Sequence, residues 1–135
     1  MSRLAARRAA VQLVYEQLLG GTGGDDTLLG MIGFQADDGQ DDAYIRLIVE
    51  GIQEHSETLD GQVAQRSTNR ELERIPKVVR SILRVALYEL LYLKDSPPSA
   101  VINEAVELAH RFGEDGDSRF INGVLGSFLR EQQPT

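Results

Sequence analysis

The 135 residues contain no cysteine, so a disulfide framework, a thiolate nucleophile and a zinc–cysteine site are all excluded. Histidine occurs only twice, at His55 and His110, on separate predicted helices. Neither belongs to an HExxH pattern, and neither a nucleophile elbow nor a P-loop is present. No apolar run is long enough to cross a membrane, and the N-terminus has no secretory h-region. A soluble cytoplasmic protein with no membrane association is therefore expected. Strand-type alternation of useful length is missing too, as is any internal repeat.

Basic residues are also scarce, 14 against 21 acids, for a net charge of −7. That balance argues at first against a nucleic-acid partner, but the charge is uneven. Residues 1–20 carry Arg3, Arg7 and Arg8 against Glu16 alone. Residues 21–60 carry ten acids against Arg46, and the remainder is balanced. Exposed charges separated by more than about 8 Å are largely screened at physiological salt, so a local basic segment survives a distant acidic one. The acidic middle reads first as a solubilising surface. Its Asp37-Asp38 and Asp41-Asp42 pairs lack the alternating ligands and closing glutamate of an EF-hand, so no metal is assigned. Gly20–Gly24 follows no strand and is not a phosphate-binding fingerprint. No cofactor is implied.

Helical periodicity dominates what is there. Leu4, Val11, Val14 and Leu18 mark a first helix over residues 3–19, stopped by Gly20-Gly21. The Gly/Asp-rich connection that follows, 20–41, holds a short apolar piece at Leu28–Phe34, read as a short helix. A longer helix is expected from Asp42 to Gln65, with Gly51 inside it to let a neighbour approach closely. Pro76–Leu93 is the clearest helix, its apolar residues recurring from Ile75 through Leu91. Asp95-Ser96-Pro97-Pro98 forces a turn. A helix over Ser99–Phe112 ends at Gly113, and Asp117 or Ser118 caps a last one. Six to seven helices with short connections make an all-α helical bundle in one domain. The Gly/Asp loop and Asn69–Arg74 split it into helical groups 3–66 and 69–131.

Several polar residues stand out against this pattern. Arg3 and Arg7 share one flank of the first helix, while Arg8 lies on the other near Gln12 and Tyr15. Arginines can grip phosphate or stack on bases, and tyrosine and glutamine add stacking and base-edge contacts. Three arginines on one helix equally make a solvated face. Phe112 and Phe120 sit at helix boundaries beside Arg119, either as core plugs or as stacking platforms for bases. Lys77, Arg80, Arg84 and Tyr88 recur at helical spacing as a solvated side or a contact face. Asn103, Glu104 and Asn122 read as buried groups tying helix ends together.

Four segments together resemble the NusB family of transcription antitermination factors. They are the Arg7–Tyr15 helix, Leu83-Arg84 through Leu90 (LRVALYEL), Ile102–Ala105 (INEA) with Glu107-Leu108-Ala109, and Ser118–Leu125 (SRFINGVL). The resemblance spans about residues 3 to 130. It implies two three-helix subbundles packed as one domain, and an RNA-binding assembly factor rather than an enzyme. The implied ligand is boxA-type single-stranded RNA, met by Arg3, Arg7, Arg8, Gln12, Tyr15, Phe112, Arg119 and Phe120. The implied partners are NusE, a ribosomal small-subunit protein, and RNA polymerase with other Nus factors, promoting ribosomal RNA transcription. Lys77, Arg80, Arg84 and Tyr88 would serve the partner contact. Val79 stands where the family often has an acid, which puts any contact through that carboxylate in doubt. Some family members form homodimers that cover the arginine helix, so monomer and homodimer both stay open. NusB-like domains also precede ribosomal RNA cytosine methyltransferases, but those need a cofactor-binding α/β domain and a catalytic cysteine, and these residues hold neither. A protein-only adaptor with a decayed RNA site is the remaining alternative.

Overall fold

The structure, a computed structural model, describes residues 3–20, 39–67 and 70–132. Six α-helices account for most of them: α1 Arg3–Leu18, α2 Gly39–Glu54, α3 Ser56–Arg66, α4 Lys77–Tyr88, α5 Pro98–Phe112 and α6 Asp117–Gln132. A 3-10 turn, Leu72–Arg74, precedes α4, and a π-turn, Glu89–Leu93, follows it. No strand occurs among the described residues, and no helix there is long and apolar enough to cross a membrane. The short helix expected at Leu28–Phe34 lies outside the described residues.

Helix α4 is the hub. It packs against α1, α2, α3, α5 and α6, while α5 and α6 form the most extensive helix pair. A helix touched on so many sides must be apolar nearly all round. Accordingly Val79, Ile82, Leu83, Val85, Ala86, Leu87 and Tyr88 are all buried. Ser81 is buried as well, its hydroxyl donating to the Lys77 carbonyl one turn back at 2.7 Å.

Three expectations need correction. The helix expected over 42–65 breaks at His55 into α2 and α3. The helix expected to run to Leu93 leaves α geometry at Glu89: the Lys94 N–H donates to the Glu89 carbonyl, five residues back, at 2.8 Å. Lys94 then turns left-handed with φ 55°, and this ends the helix. In α1 the expected Val11 and Val14 are buried and Leu18 packs on the core, but Leu4 is exposed and the inward face also holds Ala6, Ala9, Ala10 and Leu13. Three alanines on the packed side let the backbone of α1 come close to its neighbours.

Gly51 has the role its position suggested. A Cβ there would collide with the Tyr88 hydroxyl and lie 2.5 Å from the ring carbon Cζ. Tyr88 in turn packs beside Tyr92, ring centroids 5.3 Å apart, and Tyr92 stacks on His55 at 4.3 Å. Gly51→Ala overpacks this contact. A loss of about 1–3 kcal/mol is expected in urea unfolding, with helical content preserved.

Burial pushes the Tyr88 phenol above its ordinary value, and the fields of Glu54 and Tyr92 add to the shift. Because the folded-state value is raised, this group's stabilisation is fully present below pH about 10 and is lost as pH rises through the folded value. Tyr88→Phe should therefore flatten the fall of stability with pH above about 10. An unchanged alkaline slope in chemical denaturation would contradict the assignment.

Candidate nucleic-acid interface

The N-terminal arginines divide sharply. Arg7 points into the bundle and is only 8% exposed. Its Nε donates to Glu89 Oε2 at 2.6 Å and its Nη2 to Glu89 Oε1 at 2.8 Å, a two-pronged grip on a buried carboxylate. Nη2 also reaches the Ser96 hydroxyl at 3.4 Å. The hydrogen bond with Glu89 is the main cause of a raised Arg7 pKa. Burial opposes that rise, and the fields of Glu89, Glu104 and Tyr44 reinforce it. Arg7 was expected at an RNA contact, but the structure turns it inward, with Nε and Nη2 engaged by Glu89 and Ser96. The cause is its place on the flank of α1 that faces the start of the π-turn.

Arg8 is half-buried on the neighbouring flank, and its Nε donates to Glu104 Oε1 of α5 at 2.8 Å. Gln12 is exposed one turn on, and Tyr15 is half-buried one turn beyond that. These three therefore follow one line along α1. The side chain of Arg3 lies outside the described residues. Glu104 ties two helices together as expected, but Asn103 and Asn122, read as buried amides, are exposed. The burial pattern explains this, because α5 turns Val101, Ala105 and Leu108 inward and leaves the intervening amide outside.

The second cluster lies at the junction of α5 and α6. Phe112 is 63% exposed at the last residue of α5, with the Arg111 guanidinium 5.9 Å from its ring centre. The turn after it closes on itself. Asp117 is buried and accepts from the Glu114 N–H at 2.8 Å, and Gly116 takes a φ of +90°. A side chain on Gly113 would press on Asp117 Oδ2 and the Ala109 carbonyl, both 2.8 Å away. Asp117 thus closes the turn before α6 instead of capping that helix through its own first N–H groups, and Asp115 is exposed. Arg119 projects from the first turn of α6 with no ion pair among the described residues. Phe120 is half-buried against the core, and the Arg70 guanidinium lies over its ring at 4.8 Å. Arg70 and Glu89 were missed in the sequence. A carboxylate inside the apolar run LYELL was the available signal for Glu89.

The expected partner face largely disappears. Arg84 grips Asp60 of α3 with two bonds of 2.9 and 2.6 Å, and Arg80 lies 3.6 Å from the same carboxylate. Tyr88 is buried. These three fasten α4 to α2 and α3 because the helix that carries them is enclosed. Lys77, at its N-terminal end, stays exposed. No group of three or more acids and histidines is placed to hold a metal among the described residues.

The model of the NusB family matches residues 4–130. The chain is 36% identical over 127 residues to the transcription antitermination protein NusB of Bacillus subtilis, covering 94% of each. It is also 36% identical over 131 residues to the NusB of an Exiguobacterium species, covering 97% of this chain and 99% of that one. The chain belongs to the NusB family. The family is one of transcription antitermination factors, not of enzymes. Among solved structures, T. maritima NusB superposes with a TM-score of 0.81 at 28% identity, covering 99% of this chain and 94% of that one. A crystal structure of NusB and NusE in complex with double-stranded RNA gives the same score at 24% identity and 96% coverage of each chain, a likeness of fold.

In this NusB-family chain, Arg7→Met strands a buried carboxylate. A loss of about 3–5 kcal/mol in unfolding free energy is expected, because the remaining charge has no partner. The double variant Arg7→Met with Glu89→Leu should recover most of it. Equal stability of the single variant and the parent in urea titrations would refute the pairing.

Proposed function

We propose that this chain is a transcription antitermination factor that captures boxA-type single-stranded RNA together with NusE. In this reading the complex joins RNA polymerase and other Nus factors in the cytoplasm and carries transcription of ribosomal RNA operons through terminators. The observation that carries the proposal is the family match across residues 4–130, with relatives named as antitermination proteins over nearly their whole length. A molecule of the same fold occurs in a solved complex with NusE and RNA.

The geometry supports specific contacts. Phe112 offers an exposed ring for base stacking, and Arg119 offers an uncommitted guanidinium for a backbone phosphate. Gln12 and Tyr15 continue from Arg8 along α1 and suit base-edge and stacking contacts. Glu104, the Arg8 partner, and Phe112 share α5, about 12 Å apart along its axis at 1.5 Å per residue. That spacing suits a strand of a few nucleotides. Phe120 contributes less directly, since the core holds one side of it and Arg70 lies over the ring. Lys77 remains available to the protein partner.

Two substitutions test this. Phe112→Ala should weaken binding of boxA-type RNA by about 1–3 kcal/mol, the usual contribution of one stacked base. Its melting temperature should hardly move, because the ring is in solvent. Arg119→Ala should reduce the slope of log affinity against log salt by about 0.7, the value for one phosphate on a single strand. If both variants bind as the parent does across a salt titration, the chain is a protein-only adaptor instead.

A further inference from the structure

Each of the two described arginines that open α1 is met by a carboxylate from elsewhere in the fold. Arg7 has Glu89 at the start of the π-turn, and Arg8 has Glu104 from α5. Four charges therefore cancel at the segment that looks most basic in the sequence. The two pairs differ in access. The Arg7–Glu89 pair is sealed, whereas the Arg8 side chain is 35% exposed and, among the described residues, holds Glu104 through Nε alone. A single-point ion pair on a half-exposed arginine is exchangeable.

We infer that Glu104 is a built-in competitor for RNA phosphate at Arg8. A phosphate oxygen and a carboxylate oxygen offer the arginine the same ligand, a negatively charged hydrogen-bond acceptor. When RNA takes Arg8, Glu104 gives up its partner and recruits a cation from solution. The release of counterions by RNA is then offset by that uptake. In RNA-free protein the pair keeps Arg8 in register against α5. It also lowers the attraction of this surface for arbitrary polyanions, so that occupancy depends on the stacking contacts around Phe112. The proposal rests on the RNA-binding function proposed above and extends it to Arg8.

The test is a double-mutant cycle on the full chain with a short boxA-type single-stranded RNA, read by affinity across salt. Glu104→Gln keeps the shape and the acceptor for Arg8 Nε but removes the charge. It should tighten RNA binding by roughly 2- to 5-fold at low salt. It should also steepen the salt slope by up to about 0.7. In an Arg8→Ala background the same change should do nothing, which separates competition at Arg8 from a general loss of negative charge. A gain that persists without Arg8 overturns the proposal, and so does unchanged or weaker binding by Glu104→Gln. If Arg8→Ala alone leaves affinity intact while Phe112→Ala lowers it, the proposal falls and the RNA reading stands. If no variant and no parent protein binds the RNA at low salt, both fall. An independent measurement needs no variant. The Arg8 Nε–H resonance of the parent should shift on addition of this RNA, and a resonance that stays fixed at saturation overturns the exchange.

Discussion

The buried grip of Arg7 on Glu89 sets the geometry on which the rest of the bundle depends. It joins the first helix to the end of the central one, 82 residues later in the chain. An ion pair of this kind adds little net stability, since desolvation of both charges offsets most of their attraction. What it does is select one arrangement. Any rotation of α1 that moved Arg7 out of reach would leave a buried carboxylate without a partner. The same rotation would take Ala6, Ala9, Ala10, Leu13 and Val14 out of the core. The pair and the alanine face thus fix the same angle, and that angle turns Arg8 and Gln12 outward.

The π-turn belongs to the same arrangement. By widening one turn from Glu89 to Leu93, the chain alters which faces Glu89 and the following leucines present. Glu89 is buried at 4%, while Leu90, Leu91 and Leu93 pack at the margin of the core. The left-handed Lys94 and the two prolines then stop the helix and start α5 at Pro98. Arg7 reaches Ser96 within this connection, so the start of α1 is tied to the turn that launches α5. The position of Glu104, and through it that of Arg8, follows from where α5 begins.

The sequence was most legible where burial repeats with helical period. The pattern from Ile75 to Leu87 placed α4, and the turn residues Pro97, Pro98 and Gly113 bounded α5. Gly51 was readable as a close approach because a glycine inside an apolar helix has few other uses. The break at His55 was not, because Gln53 to Thr58 carries neither proline nor glycine to mark it. The π-turn was hidden for a related reason: leucines continue through it, and a run of apolar residues suits either geometry. At the site, the residue types were legible but their partners were not. Arg7, Arg80 and Arg84 look alike in a helical projection whether they face water or a carboxylate on another helix. Only the packing of distant segments, Glu89 on Arg7 and Asp60 on Arg84, decides between the two. Phe112 and Phe120 were a pair by position, yet the fold leaves one in solvent and packs the other beneath Arg70.

This redistribution moves the accessible positive charge. The sequence concentrates it in the first eight residues, but in the folded protein Arg7 is spent and Arg8 is shared with Glu104. Arg119, exposed and without an ion pair among the described residues, lies instead on the first turn of α6, and the exposed ring of Phe112 ends α5. A surface built this way gains little from long-range attraction, because the net charge of the chain is −7 and screening removes distant contributions. In the proposed reading, its discrimination comes from short-range contacts: a ring that stacks, an amide that reads a base edge, and a cation at a fixed place. Such contacts favour an unpaired strand over a duplex, since only an unpaired strand offers its base faces and Watson–Crick edges together. On that reading an acidic protein acts on RNA through contacts made at short range, where its net charge counts for little.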